Sequence, residues 1–159
     1  KESFTNIVIC NDECLYDSAI VFLKKYEGFR SAVYLDNDGS RTIGYGHHIL
    51  EGESFNKITE VEASNILKSD LNKRIDYVNR ITKLDSNKSL ALGLLAFNVG
   101  TGNLSKYIKN GLLEGDNYAR RILKYCCYKI EVDGKVKVIR SKKLKQRREF
   151  ELYIYKYEL

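Results

Sequence analysis

The stretch Tyr26–His48, YEGFRSAVYLDNDGSRTIGYGHH, decides the fold that this sequence predicts. It begins at the end of a helix and continues as two short extended arms joined by the turn Asp36–Ser40, whose Asp, Asn and Gly residues are typical of a hairpin loop. Glu27 therefore lies where a helix ends, Asp36 where a strand ends, and Thr42 near the start of the returning strand. An acid, a second carboxylate and a hydroxyl around a cleft are what hydrolysis of a glycosidic bond requires. The predicted arms are Ser31–Leu35 and Arg41–Tyr45.

The spacing Glu27-x8-Asp36-x5-Thr42, followed by IGYGH at 43–47, resembles the signature of phage-type lysozymes, the endolysins of glycoside hydrolase family 24. The resemblance implies an α+β, mainly helical fold of two lobes: a small N-terminal β-hairpin lobe, a long linking helix and a larger C-terminal helical lobe. It also implies a peptidoglycan hydrolase that cleaves the β-1,4 bond between N-acetylmuramic acid and N-acetylglucosamine. In that reaction Glu27 is the general acid, while Asp36 and Thr42 orient the attacking water. The expectation of an inverting mechanism comes from the same resemblance.

Length and composition agree with one catalytic domain over residues 1–159. The chain has 27 basic and 21 acidic residues, a net charge of +6, which suits an anionic partner. Nucleic-acid-binding, zinc-binding and phosphate-loop motifs are absent from the sequence. We therefore expect a monomer without metal or cofactor that binds peptidoglycan glycan strands and anionic cell-surface polymers, and not nucleic acid.

The place of action is an expectation that rests on the same resemblance. No apolar run reaches the roughly 18 residues of a membrane span, and no signal peptide is recognisable. The first residue is not methionine, so we expect a processed or trimmed chain whose export signal has been removed or lies outside this sequence. Stable membrane insertion is not expected. The enzyme is expected to act outside the cytoplasmic membrane, in the periplasm, the extracellular space or the host cell wall.

Four cysteines, Cys10, Cys14, Cys126 and Cys127, are more than an intracellular chain of this size usually carries. Their spacing does not suit a zinc site, because two adjacent cysteines are poor joint ligands. Disulfides between the N-terminal and C-terminal segments would close long loops and stabilise the fold by about 2–4 kcal/mol each. The alternative is four buried thiols, which pack as small apolar side chains.

The first half of the chain predicts two helices around the small lobe. Residues 1–15 show little periodicity and indicate an extension, and a helix follows over residues 17–27 with Asp17 or Ser18 as its N-cap. The small lobe covers about residues 28–58. Thr59–Glu62 is a capping box that opens a long linking helix to about residue 81.

The second half predicts the helical lobe, about residues 82–159 together with the helix 17–27. Its most apolar segment, residues 84–100, indicates a central helix buried on every side and ended by Gly100 or Gly102. Further predicted elements are helices at 103–111 and 116–128 opened by Asn or Asp caps, a hairpin at 130–138 around Asp133-Gly134, and a last helix over 142–155 capped by Ser141.

Two matches to the family place candidate substrate-binding residues in the helical lobe. The AFNVG ending of the apolar segment resembles the family's FNxG, which implies that Asn98 contacts the sugar chain; the alternative is an amide that satisfies backbone groups at the helix end. The last helix resembles the family's GLxxRRxxE element, with Lys143 in place of the glycine. This match implies that Arg147 pairs with the catalytic Glu27 and holds it. The alternative is that Arg147 and Arg148 form a solvated basic face.

The small lobe carries three further candidates, and the linking helix carries one. The resemblance places His47 in a structural ion pair at the base of the lobe, for which Asp70 on the linking helix is the candidate partner. A general-base role for His47 is the weaker alternative. Tyr34 and His48 are candidate substrate contacts at the cleft edge, although Tyr34 also suits packing within the lobe.

Two other functions compete with hydrolysis. A decayed lysozyme that keeps the fold would be a non-catalytic cell-wall-binding module, but it would have no reason to keep Glu27, Asp36 and Thr42 together. A cationic membrane-active protein would kill cells without hydrolysis, and the basic C-terminal helix is compatible with that as an accessory activity.

Overall fold

A computed structural model describes residues 11–158, and in this range the chain forms six α-helices and five strands. The helices are α1 (Asp12–Glu27), α2 (Glu60–Ile81), α3 (Ser86–Val99), α4 (Thr101–Lys109), α5 (Asn117–Arg121) and α6 (Lys142–Tyr155). The strands are β1 (Arg30–Leu35), β2 (Arg41–Gly44), β3 (His47–His48), β4 (Cys127–Val132) and β5 (Lys135–Arg140), and a short 3₁₀ helix covers Ile122–Lys124. The predicted class, α+β and mainly helical, is confirmed.

Helix α1 begins earlier than the sequence predicted. The Asn11 side chain accepts a hydrogen bond of 2.9 Å from the backbone N–H of Cys14, so Asn11 is the N-cap and not Asp17 or Ser18. Acidic residues in the first turn favour this start because they face the positive end of the helix dipole. The prediction of an extension is therefore wrong for residues 12–15, and residues 1–10 lie outside the described range.

The small lobe is a three-stranded antiparallel sheet in the order β1-β2-β3. Thr42 of β2 stands opposite Tyr34 of β1 on one side and opposite His48 of β3 on the other. Directly opposed residues in an antiparallel sheet point to the same face, so these three side chains share one face. The two predicted arms are confirmed within one residue at their ends, while β3 was not predicted.

Helix α2 joins this sheet to the helical lobe. Its capping box is confirmed: the Thr59 hydroxyl accepts from the N–H of Glu62 at 3.2 Å, and the Glu62 carboxylate accepts from the N–H of Thr59 at 2.7 Å. The helix then runs against α3, where Gly93 allows close contact, because a Cβ at that position would lie 2.7 Å from Cγ1 of Ile75.

Helix α3 is the central helix, as its apolar sequence predicted. It contributes buried residues to two hydrophobic clusters, one with α1 and α6 and one with α4 and α5. Aromatic stacking ties the first cluster together, with the rings of Phe22 and Phe150 4.0 Å apart. Gly100, at φ +87°, ends α3 as predicted and is also the residue from which α4 starts.

The segment after α3 differs from the prediction. Helix α4 begins at Thr101, so Asn103 lies inside it and donates to the carbonyl of Val99 at 2.8 Å without capping the helix. The side chain of Asp116 makes no capping hydrogen bond either, and α5 ends at Arg121. The predicted helix 116–128 was too long because its last residues already belong to β4.

The C-terminal hairpin and helix are confirmed. Strands β4 and β5 pair around Asp133 (φ +52°) and Gly134 (φ +72°), the left-handed pair of a type I′ turn, and the hairpin extends further at both ends than predicted. Ser141 caps α6 by accepting from the N–H of Leu144 at 3.2 Å. Helix α6 then packs along α3.

The cysteines show neither of the two predicted arrangements in full. Cys126 is a buried free thiol and Cys127 an exposed free thiol, so the C-terminal pair forms no bridge, and Cys127 does not fit the expectation of buried thiols. Cys14 is half-buried, and Cys10 lies outside the described residues. Within residues 11–158, no helix has the length and apolar character needed to span a membrane.

Candidate active site

A cleft of about 750 Å³ opens between the small sheet and the C-terminal end of α3. One wall comes from the end of α1 and from the sheet lobe, and the other from α2 and the end of α3. The cleft brings together seven of the residues predicted from the sequence: Glu27, Tyr34, Asp36, His47, His48, Asp70 and Asn98. Thr42 and Arg147 are not part of this lining.

Glu27 is held from two sides at the end of α1. Its Oε1 atom accepts a hydrogen bond of 2.9 Å from Nη1 of Arg147 on α6. On the other side the backbone of Gly46, at φ +74°, is so close that a Cβ there would lie 2.7 Å from Oε2. The side chain is 24% exposed, and it therefore reaches the cleft while its position is restricted.

Arg147 is buried, with only 9% of its side chain exposed. Its Nε and Nη2 atoms make no hydrogen bond within the described residues, so Glu27 is the acceptor that the structure provides. Arg148 is fully buried. The alternative of a solvated basic face is therefore wrong for both arginines.

Asp36 lines the same cleft from a tight loop and is more exposed than Glu27, at 42% of its side chain. Its backbone N–H donates to the carbonyl of Ser40 at 2.9 Å, and its Oδ1 accepts from the N–H of Asn37 at 2.8 Å, so the loop itself fixes the carboxylate. The Oδ2 atom lies 3.6 Å from Nε2 of His48. The two carboxylates therefore line the same cleft in different environments: Glu27 is partly enclosed by protein, whereas Asp36 is more exposed to solvent.

Thr42 lies behind the cleft surface. It is fully buried in the middle strand, and its hydroxyl donates to the carbonyl of Ser40 at 3.2 Å. The residue therefore supports the end of the loop that carries Asp36.

His47 bridges two carboxylates at the base of the small lobe. Its Nδ1 lies 2.7 Å from Oδ2 of Asp70, the predicted partner, and its Nε2 lies 2.9 Å from Oε2 of Glu53. Burial lowers the pKa of His47, but the hydrogen bonds to Glu53 and Asp70 outweigh it and leave the pKa above its ordinary value. Glu53, which also accepts from the N–H of Leu50, was missed because it lies in a loop without periodicity.

We expect Asp70→Asn to lower the free energy of unfolding by about 3 kcal/mol near pH 5.5, and by less near pH 9. The folded chain binds the His47 proton more tightly than the unfolded chain, because the folded pKa is raised. The stabilisation is therefore complete below about pH 6.5 and is lost as the pH rises through the folded value. Urea unfolding at the two pH values measures the loss of unfolding free energy, and Asp76→Asn, at an exposed position on the same helix, is the control. An equal loss at both pH values would contradict the prediction.

Asn98, half-buried at the end of α3, is anchored by a buried ion pair. Its Oδ1 accepts a hydrogen bond of 2.7 Å from Nη2 of Arg148. The Arg148 guanidinium in turn contacts both carboxylate oxygens of Glu151, at 2.7 and 3.0 Å. Burial raises the pKa of Glu151 to about 7 and lowers the pKa of Arg148. Sequence reasoning missed this pair; its signal is the Arg-x-x-Glu spacing on the face of α6 that also carries Phe150 and Ile154.

The known proteins that this chain resembles point to one family. The phage lysozyme family model matches residues 24–151. An endolysin of Bacillus phage B103 is 30% identical over 107 residues, which cover 65% of this chain and 41% of that protein. The chain thus spans about two fifths of the length of the Bacillus phage endolysins it matches.

Solved structures agree with the fold. An endolysin from Escherichia coli O157:H7 phage FAHEc1 superposes with a TM-score of 0.66 at 26% identity, covering 95% of this chain and 94% of that one. A mutant of P22 lysozyme gives a TM-score of 0.62 at 28% identity, covering 87% of this chain and 94% of that one.

Proposed function

Because the chain belongs to the phage lysozyme family, we propose that it is a lysozyme-type glycoside hydrolase that degrades peptidoglycan. The bond cleaved is the β-1,4 link between N-acetylmuramic acid and N-acetylglucosamine, and its cleavage lyses the cell wall. The observation that carries the proposal is that Glu27 and Asp36, from two different elements, line the same open cleft. Glycoside hydrolysis needs such a pair of carboxyl groups.

In the proposed reaction Glu27 is the acid. Its proton goes to the glycosidic oxygen, the bond from that oxygen to the anomeric carbon of the muramic acid breaks, and the glucosamine leaves as an alcohol. Arg147 holds the carboxyl group in place through the 2.9 Å contact between Nη1 and Oε1. The restricted position of Glu27 supports this role, because proton transfer depends on hydrogen-bond reach.

Asp36 is the proposed base. It removes a proton from a water molecule whose oxygen forms the new bond to the anomeric carbon, and its exposed position gives water access to it. We assign Thr42 a supporting role, since its hydroxyl holds the carbonyl of Ser40 at the end of the Asp36 loop. Donation of a hydrogen bond from Thr42 to the water would require that hydroxyl to turn away from Ser40.

The proposed partners are peptidoglycan glycan strands outside the cytoplasmic membrane. Anionic cell-surface polymers would be attracted by the net charge of +6. Such attraction raises the rate of association with the cell surface and weakens with added salt. The cleft residues, in contrast, determine which bond is cut.

The proposed activity is tested by incubating the protein with purified peptidoglycan, reducing the products with borohydride and identifying the reduced sugar. A muramidase leaves reduced muramic acid at the new chain ends. Reduced glucosamine would instead identify a glucosaminidase, and new amino groups without new reducing ends would identify cleavage of the peptide stems. Either of these outcomes, or sedimentation with the wall without any release, would overturn the proposal.

We expect the α-anomer of the new muramic acid end to appear first. An inverting enzyme places water on the face opposite the leaving group, and the bond that is broken is β. Proton NMR of a soluble glycan oligomer during the first minutes of hydrolysis distinguishes the anomers before they equilibrate. The initial appearance of the β-anomer would instead assign Asp36 as a nucleophile in a retaining mechanism.

A further inference from the structure

We propose that Arg148, held by Glu151, is a positioning residue that turns the Asn98 amide so that its NH₂ group faces the cleft as a hydrogen-bond donor. This inference rests on the proposed function and deepens it. The group that it would recognise is an acceptor oxygen of the amino-sugar chain, and the acetamido carbonyl is the strongest neutral acceptor of the glycan strand.

The chemistry of the guanidinium group determines the orientation of the amide. Arginine has only donors, so the Asn98 atom that faces Nη2 of Arg148 at 2.7 Å must be the oxygen and not the nitrogen. The Nδ2 group therefore points away from Arg148. Among residues 11–158 no acceptor takes a hydrogen bond from it, while Asn98 itself lines the cleft.

Burial makes this orientation firm. Arg148 is 0% exposed and Glu151 is 1% exposed, so no water competes for the guanidinium. Glu151 holds the guanidinium by a hydrogen bond of 3.0 Å from Nη2 and an ion-pair contact of 2.7 Å to Nε. Because Glu151 accepts from one Nη2 hydrogen, the second Nη2 hydrogen is the one that Asn98 accepts, and the planar guanidinium gives it a defined direction. An amide without such an anchor would present either its oxygen or its nitrogen to a ligand.

The test replaces the whole pair, because removing one partner would leave a buried charge and could unfold the chain. In Arg148→Met with Glu151→Leu, two apolar side chains of similar size take the place of the ion pair. We expect KM for soluble peptidoglycan oligomers to rise about tenfold, with a smaller change in kcat, because one oriented hydrogen bond to substrate is lost.

The control is the exposed pair Lys145 and Glu149 on the same helix, whose charged atoms are 3.8 Å apart. Lys145→Met with Glu149→Leu removes as much charge from α6 and should leave KM unchanged. A rise in KM for both double variants would assign the effect to the charge of the helix and overturn the inference.

A mutant cycle separates positioning from a general effect on packing. In the wild-type background Asn98→Ala should raise KM about tenfold, whereas in the background without the buried pair it should have little further effect. If the two effects multiply, Arg148 does not act through Asn98 and the inference fails.

One readout does not depend on hydrolysis. The side-chain NH₂ of Asn98 should give a pair of ¹⁵N–¹H signals whose chemical shifts differ from those of a freely rotating asparagine side chain, and these shifts should move toward the free values when Arg148 and Glu151 are replaced. If the wild type released no sugar from peptidoglycan, the proposed function would fail while these signals would still test the positioning. Unchanged signals in the double variant would overturn it.

Discussion

Glu27→Gln is expected to reduce the release of reducing sugar from peptidoglycan by about 1,000-fold or more. The amide has the shape of the carboxyl group but no proton to give to the leaving oxygen. Its carbonyl oxygen can still accept from Nη1 of Arg147, so the fold should persist. Activity is measured at saturating substrate, and urea unfolding shows whether the variant remains folded.

The matched control for this variant is Glu51→Gln, which makes the same chemical change at an exposed turn. It should keep full activity. A Glu27→Gln protein that is folded and retains a tenth of the wild-type rate would show that another group delivers the proton, and the assignment of Glu27 would be wrong.

Gly46→Ala is expected to lower activity about 100-fold, because displacing a catalytic group by about 1 Å is enough for such a loss. A Cβ at this position would lie 2.7 Å from Oε2 of Glu27, closer than any carbon and oxygen can pack, so the carboxyl group must move. The backbone is also left-handed there, at φ +74°, which adds strain of about 1–3 kcal/mol for a residue with a side chain.

Gly52→Ala separates the two effects. Gly52 has a similar φ of +86°, but no heavy atom lies within 4 Å of the added Cβ. This control should lose stability to a similar extent and keep its activity at a temperature where both variants are folded. Equal losses of activity in the two variants would mean that backbone strain, and not contact with Glu27, is responsible.

Local sequence signals predicted the elements that depend on local interactions. Three such elements are present in the structure, and in each the residues that stabilise it are neighbours in the sequence. They are the capping box at Thr59–Glu62, the turn at Asp133-Gly134 and the apolar run of α3. Strand β3 could not be predicted because two residues show no alternation. It exists only because β2 offers an unpaired edge to it.

The same reasoning explains the errors at the ends of helices. The start of α1 depends on one hydrogen bond to Asn11, in a segment whose apolar residues show no helical period. The region after Arg121 contains apolar residues that suit a helix or a strand equally. Its last part forms strand β4 because it pairs with β5 across the Asp133-Gly134 turn.

Site residues that belong to a recognisable motif were predicted, and those whose place in the site depends on tertiary packing were missed. The Glu27, Asp36 and Thr42 positions came from a resemblance, and their catalytic roles stay predictions. In the sequence the run Gln146–Glu149 looks like an ordinary charged face, yet Arg147 and Arg148 are both buried. The family match anticipated that Arg147 points to Glu27, whereas only the packing of α6 against α1 and α3 shows that Arg148 also points inward, toward Asn98.

The hairpin of β4 and β5 stands with almost all its side chains in solvent, and within residues 11–158 its two outer edges have no strand beside them. Bare edges of this kind invite strand addition and aggregation between molecules. Four basic side chains counter it: Lys129, Lys135, Lys137 and Arg140. Three of these residues, Lys135, Lys137 and Arg140, lie on β5, which has no acidic residue, so two ribbons brought together along their β5 edges would repel each other.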